Sequence, residues 1–184
     1  MACRTAPRRA ASGFRVERVR IAAKPALFCA VVAVLGVAAD GATKTWADSR
    51  LSDGRDITVA GGLIRLQLVI NHGASFGLGA GSEPLLAGVA LIGVILLGIW
   101  ALRAGSYAER FGASLGAAGA AGNLIDRLTR APAPLHGGVV DWLHVSFYAP
   151  TFNLADVWLR GGALIALAGW LWRHRRSASS GVKE

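Results

Sequence analysis

The chain has 184 residues, enough for one domain of ordinary size, and 53% of them are hydrophobic, with a mean hydropathy of +0.45. That apolar excess excludes a typical water-soluble domain and points to a small polytopic membrane protein. The formal charge of +9 does not indicate a nucleic-acid binder, because no basic patch is interleaved with base-stacking aromatics.

Arg4, Arg8, Arg9, Arg15, Arg18, Arg20 and Lys24 make residues 1–24 a basic tail, expected to be disordered and cytoplasmic. A first apolar run follows, from about Pro25 to Thr43. A basic start before PALFCAVVAVLGVAA resembles a secretory signal peptide, but the run continues through Asp40 and Lys44 and further spans follow. An uncleaved first span is the better reading. The two cysteines, Cys3 and Cys29, have no metal-ligand spacing and suggest no disulfide. Phe28 is too bulky for a lipid-attachment site before Cys29, which reads as a packed apolar side chain.

Residues 45–82 are neither apolar enough to cross a membrane nor polar enough to be disordered. ITVAGG and LIRLQLVIN are β-rich runs joined at a Gly-Gly turn signal, and Ile64, Leu66 and Leu68 alternate with Arg65 and Gln67. They predict a small extracytoplasmic sheet resting at the membrane surface. A second apolar run spans about Pro84–Leu102 and a third about Phe111–Ile125. The third is short, and its Gly112, Gly116, Gly119 and Gly122 suit close helix packing in lipid. A fourth runs from about Phe152 to Trp172, before a basic tail over residues 173–184 with Arg173, Arg175, Arg176 and Lys183.

The predicted fold is therefore a monomeric all-α bundle of four transmembrane helices over residues 25–172, with the small β-sheet inserted between the first and second helices. An even number of spans puts both termini on one side. That side, with the Arg103–Arg110 turn, carries 13 of the 20 Lys and Arg, which predicts cytoplasmic termini.

With that topology the unusual polar residues all fall at the opposite face. Asp40 and Lys44 stand at i and i+4 on the first span. Asn71 ends the β segment, Asn123, Asp126 and Arg127 end the third span, and Asn153 and Asp156 open the fourth. Asp141 lies in the outer loop between the last two. Ionisable groups at membrane depth are costly and tend to mark functional sites. Structural readings compete: Asp40–Lys44 as an ion pair, Asp126 beside Arg127 as a pair shaping the loop, Asn153 as an N-cap with Asp156 in the first turn.

Asp141 resists such a reading. It stands between Val139-Val140 and Trp142-Leu143 with no adjacent basic residue, so it should titrate high or find a partner, and Asp156 is the natural one. Two close carboxylates share a proton, so one can take a proton from water while the other donates to a carbonyl oxygen. That is amide hydrolysis without cofactor or metal. His72, His136, His144 and His174 are scattered, Ser75 lacks a GxSxG context, and no Gly-rich phosphate loop occurs.

DGATK, NHGASFG, GNLIDR, VVDW and FNLAD, in this order across four spans, resemble signal peptidase II, and the resemblance covers roughly residues 25–172. It implies an aspartic endopeptidase of the bacterial cytoplasmic membrane that removes signal peptides from prolipoproteins, cutting before a diacylglyceryl-modified cysteine at the extracytoplasmic face. It implies membrane lipid around the substrate and globomycin-like inhibitors. It makes Asp141 and Asp156 the catalytic pair, with Asp40, Lys44, Asn71, Gly73, Gly122, Asn123, Asp126, Arg127 and Asn153 binding substrate or shaping the site. The chain departs from the family in having Gly after the Asp of DGATK, Trp in VVDW, and a longer Arg127–Asp141 loop containing APAPLHGG.

Two other functions compete. A small transporter or channel would use the Asp pair as a proton or cation site, but its ionisable groups should spread through the membrane depth, and no inverted repeat is evident. A membrane-embedded assembly factor would tolerate Asp→Asn changes. Arg160 follows Asp156 by one helical turn, where an ion pair would oppose proton sharing. It is expected to turn away from the pair, towards lipid headgroups or another acid.

Overall fold

The computed structural model describes residues 23–74, 79, 81–132 and 134–180. Nearly all of the basic N-terminal tail, Cys3, Ser75 and Lys183 lie outside them. The elements run α1 (Ala23–Leu51), β1 (Ile57–Val59), β2 (Ile64–Asn71), α2 (Glu83–Arg103), α3 (Tyr107–Thr129), β3 (Val139–Val145), β4 (Tyr148–Phe152) and α4 (Leu154–Ser180). Of the four α-helices among the described residues, α1, α2 and α4 are long and apolar enough to cross a membrane.

α1 outruns the apolar segment by two turns, to Leu51. Its buried residues (Cys29, Gly36, Asp40, Lys44, Ala47 and Leu51) recur at helical spacing, so one inward stripe continues after the hydrophobic composition has ended. α4 likewise continues past Trp172 to Ser180, through the expected basic tail. α3 starts on an S-x-x-E signal in which Ser106 Oγ accepts from the Glu109 amide at 3.2 Å.

α3 is the central helix, packed against the other three, and small residues let it be. A Cβ on Gly119 would run into the Ala155 carbonyl of α4, and one on Gly112 into the Ala166 amide. Backbone-to-backbone contact at this closeness is the gain expected from the glycine spacing. At the far end of the same helix pair, buried Glu109 accepts from Arg173 Nε at 2.7 Å and Nη2 at 3.2 Å.

The sheet is antiparallel in the order β1-β2-β3-β4. Gly61 and Gly62, at φ 65° and 94°, make the turn between β1 and β2 that needs left-handed backbone. Only half of the sheet comes from the insertion between α1 and α2; β3 and β4 come from the segment after α3, which was expected to be a loop. VVDWLHV is apolar on both faces and hides the strand alternation, yet Val140 and Trp142 pack on Ala47 and Leu51 of α1 while Asp141 turns to the other face. Trp46 meets Trp142 edge to face at 5.9 Å, seating the sheet on the end of α1.

Candidate active site

Strand register brings the first carboxylate into place. Val69 of β2 pairs with Asp141 of β3, and Asn71 with Val139, so Asn71 and Asp141 share the face turned away from the α1 core. Asn71 Nδ2 donates to Asp141 Oδ2 at 2.8 Å, and Asn71 Oδ1 accepts from the Gly73 amide at 2.9 Å. Asp141 is 2% exposed. Burial pushes its carboxyl up to about 7, the Asp156 charge adds to the shift, and the Asn71 and Asn153 donors pull against it.

The start of α4 brings the second. Asn153 Oδ1 accepts from the Asp156 amide at 2.9 Å, the N-cap read from the sequence. The other end of the same amide, Nδ2, donates to Asp141 Oδ1 at 2.7 Å and to Asn123 Oδ1 at 3.1 Å. Asn123 of α3 passes the chain on, donating from Nδ2 to Asp156 Oδ1 at 2.9 Å. A run of amides thus joins the two carboxylates, each held by a donor from a different element.

Behind this run stands Lys44, 2% exposed. Its ammonium lies 2.8 Å from Asp40 Oδ2, 2.8 Å from Asp126 Oδ2 and 3.1 Å from Asn123 Oδ1, which uses all three of its donors. Asp40 Oδ1 also accepts from the Ala155 amide at 2.8 Å, so α1 helps to cap α4. Gly122 is small because a Cβ there would overlap the Asp40 carboxylate. Asp126 Oδ2 accepts from the Val140 amide at 3.2 Å, which ties α3 to the residue before Asp141.

Asp126 and Arg127, adjacent in sequence, do not serve each other as the pair first read there. They project from different sides of α3: Asp126 pairs with Lys44 and, at 2.8 Å, with Arg130, while Arg127 Nη2 donates to the Gly73 carbonyl at 2.8 Å. Arg130, which also reaches Asp48 at 2.8 Å, was missed as a site-shaping residue. The i, i+4 spacing of Asp126 and Arg130 in DRLTR was the available signal.

Asp141 and Asp156 line one cavity of about 360 Å³, with Asn71, Gly73, Asn123 and Arg127 on its polar side. Its other walls are apolar: Leu86, Val89, Ala90 and Gly93 of α2, Ala120 of α3 and Leu159 of α4. Pro150, Thr151 and Phe152 of β4 complete its lining. Arg160 lines it too, but Nη1 is turned to the Tyr148 hydroxyl, 3.4 Å away, and Asp156 enters no ion pair among the described residues. Among those residues no group of His, Cys, Asp and Glu could hold a metal ion. The arrangement suits acid–base chemistry on a substrate with one polar and one apolar end.

The family described as signal peptidase (SPase) II matches residues 32–172. The chain belongs to the signal peptidase II family. It is 40% identical over 143 residues to the lipoprotein signal peptidase of Bifidobacterium adolescentis, covering 78% of this chain and 75% of that one. To the lipoprotein signal peptidase of Leifsonia xyli it is 37% identical over 163 residues, covering 84% and 74%. Two solved bacterial membrane enzyme structures, determined by the in meso method at 2.3 and 1.9 Å resolution, superpose with TM-scores of 0.66 and 0.65. Their identities are 26% and 27%; each covers 78% of this chain, and this chain covers 87% and 92% of them. As a signal peptidase II the chain is a membrane peptidase.

Proposed function

We propose that this chain removes signal peptides from diacylglyceryl-modified prolipoproteins, cutting before the lipid-modified cysteine, and that Asp141 and Asp156 together activate the water. The observation that carries the reading is a buried and an adjoining carboxylate in one cavity, each held by an asparagine donor and neither in an ion pair among the described residues. The names of the relatives supply the prolipoprotein.

Asp141, raised to about 7, is suited to carry the shared proton near neutrality. It donates that proton to the scissile carbonyl oxygen as Asp156 takes one from water, whose oxygen adds to the carbonyl carbon. Collapse of the tetrahedral diol breaks the C–N bond as Asp156 gives its proton to the leaving amine and a diol hydroxyl returns one to Asp141. The pair returns with one proton. The asparagines fix both carboxylates beforehand, so little reorganisation accompanies the charge movement.

Topology supports the same reading. The ends of α1 and α3, the start of α4 and the sheet meet at one end of the bundle, while Glu109 and Arg173 mark the other. With α3 as a fourth span, the basic termini are cytoplasmic and the aspartates face outward in a bacterial cytoplasmic membrane. The reading also takes the enzyme as a monomer and the cavity as the target of globomycin-like inhibitors.

The test is cleavage of a diacylglyceryl-modified prolipoprotein by membranes carrying Asp141→Asn or Asp156→Asn. Each variant is expected to lose at least ~10²–10⁴-fold in rate at unchanged protein level. Full cleavage by either would overturn the assignment.

A further inference from the structure

Arg160 and Arg127 are the two basic residues lining this cavity, and the hydrolytic step uses neither; Arg127 Nη2 donates to the Gly73 carbonyl. Arg160 follows Asp156 by four residues, so it lies on the same face of α4 and about 6 Å further along the axis. Beyond it α4 runs through Gly161–Trp172 without a charged residue.

The position of Arg160 is built. Nη1 meets the Tyr148 hydroxyl at 3.4 Å, and the guanidinium carbon lies 6.0 Å from the Tyr148 ring centroid. Tyr148 in turn packs edge to face on Phe152 at 5.8 Å and 75°. Arg160 is thereby held between α4 and β4, in the lining of the cavity that also contains the aspartates and Leu86, Val89 and Ala90 of α2.

We propose that Arg160, positioned by Tyr148, is the subsite for the ester oxygens of the substrate's diacylglyceryl group. This rests on the prolipoprotein reading above and adds to it the residue that recognises the lipid linkage. The substrate carries groups that match the three kinds of side chain lining the cavity: carboxylates, a guanidinium and an apolar wall. Its scissile amide belongs at the aspartates and its acyl chains against α2. Between them, a thioether and a glycerol backbone separate the cysteine from the ester carbonyls, a span comparable to one helical turn. Ester carbonyls are acceptors with no donor of their own, and a planar guanidinium offers several N–H groups to them at once. A phospholipid phosphate would offer the same acceptor chemistry from the bilayer, so the test must separate the two.

The experiment measures kcat and KM of the full chain in non-ionic detergent, using a diacylglyceryl peptide and its dialkyl-ether analogue, which keeps the chains but lacks the carbonyls. For the wild type, KM is expected to be about 10- to 100-fold lower for the diester, the worth of one hydrogen bond from a charged donor. In Arg160→Leu the ratio should collapse to near one through a rise in the diester KM. Tyr148→Phe should move it the same way by less. Equal KM values for the two substrates in the wild type would overturn the proposal, as would an Arg160→Leu effect on kcat alone. An Arg160→Leu effect that appears only when phospholipid is added would assign the residue to a bilayer phosphate and overturn it too. Cleavage of neither substrate by the wild type would remove the prolipoprotein reading itself, a result distinguishable from all the others.

Discussion

Asn71→Ala isolates what a single donor does to Asp141, the carboxylate proposed to carry the shared proton. Asn71 Nδ2 donates to Asp141 Oδ2 at 2.8 Å, and among the influences lowering the Asp141 pKa it is the largest. The donor stabilises the charged carboxylate, so deleting it must favour the neutral acid and raise the pKa. A hydrogen bond to a charged group is worth ~1.5–3 kcal/mol, and a pKa unit corresponds to ~1.4 kcal/mol. The displacement is therefore about one to two units, towards the lower figure because water can occupy the space the side chain leaves. On the proposed mechanism activity requires the pair to hold one proton, so in the wild type it should decline as pH rises through about 7. In Asn71→Ala that alkaline limb should move to about 8 or above, even as the rate at the optimum falls through looser positioning. The assay is a kcat/KM profile from pH 5 to 10 on one lipid-modified peptide, with variant and wild type in the same detergent. An alkaline limb that stays in place or shifts to lower pH would refute the reasoning, because it would separate the observed titration from Asp141.

Three further substitutions test the helical frame. Lys44→Met keeps the length of the side chain but leaves Asp40 and Asp126 without the cation they share, which should cost roughly 3–5 kcal/mol; thermal unfolding in detergent should fall by about 10 °C, and an unchanged midpoint would count against the hub. Gly122→Ala should destabilise by ~1–3 kcal/mol, because its Cβ meets the Asp40 carboxylate. Gly98→Ala on α2, where a Cβ meets nothing within 4 Å, should instead be neutral or stabilising by up to ~1 kcal/mol.

The helices were legible because apolar runs and glycine spacing are local signals, and the N-cap role of Asn153 was legible for the same reason. The ends of α1 and α4 were not, since Lys44, Ala47 and Leu51 continue an inward stripe that hydropathy alone does not see. Asp141 stood out as an uncompensated carboxylate, but its strand did not: VVDWLHV lacks alternation because one face meets α1 and the other the cavity. Asp126 and Arg127 misled through adjacency, since neighbours on a helix point about 100° apart and choose different partners. The α2 wall of Leu86, Val89 and Ala90 carries no sequence signal at all, because a side chain lining a cavity looks like one facing lipid.

Asn153 bears on which sequences this site can tolerate. Many residues can start a helix well: serine, threonine and aspartate all present an acceptor to the first-turn amides. Asn153 must present that acceptor to Asp156 and, from the other atom of the same amide, a donor to Asp141. Aspartate would supply the first and repel at the second. Serine and threonine have one oxygen and one proton, too short a side chain to serve both directions. Here the ordinary interchangeability of helix-capping residues is cancelled, and a position that looks structurally permissive becomes chemically fixed.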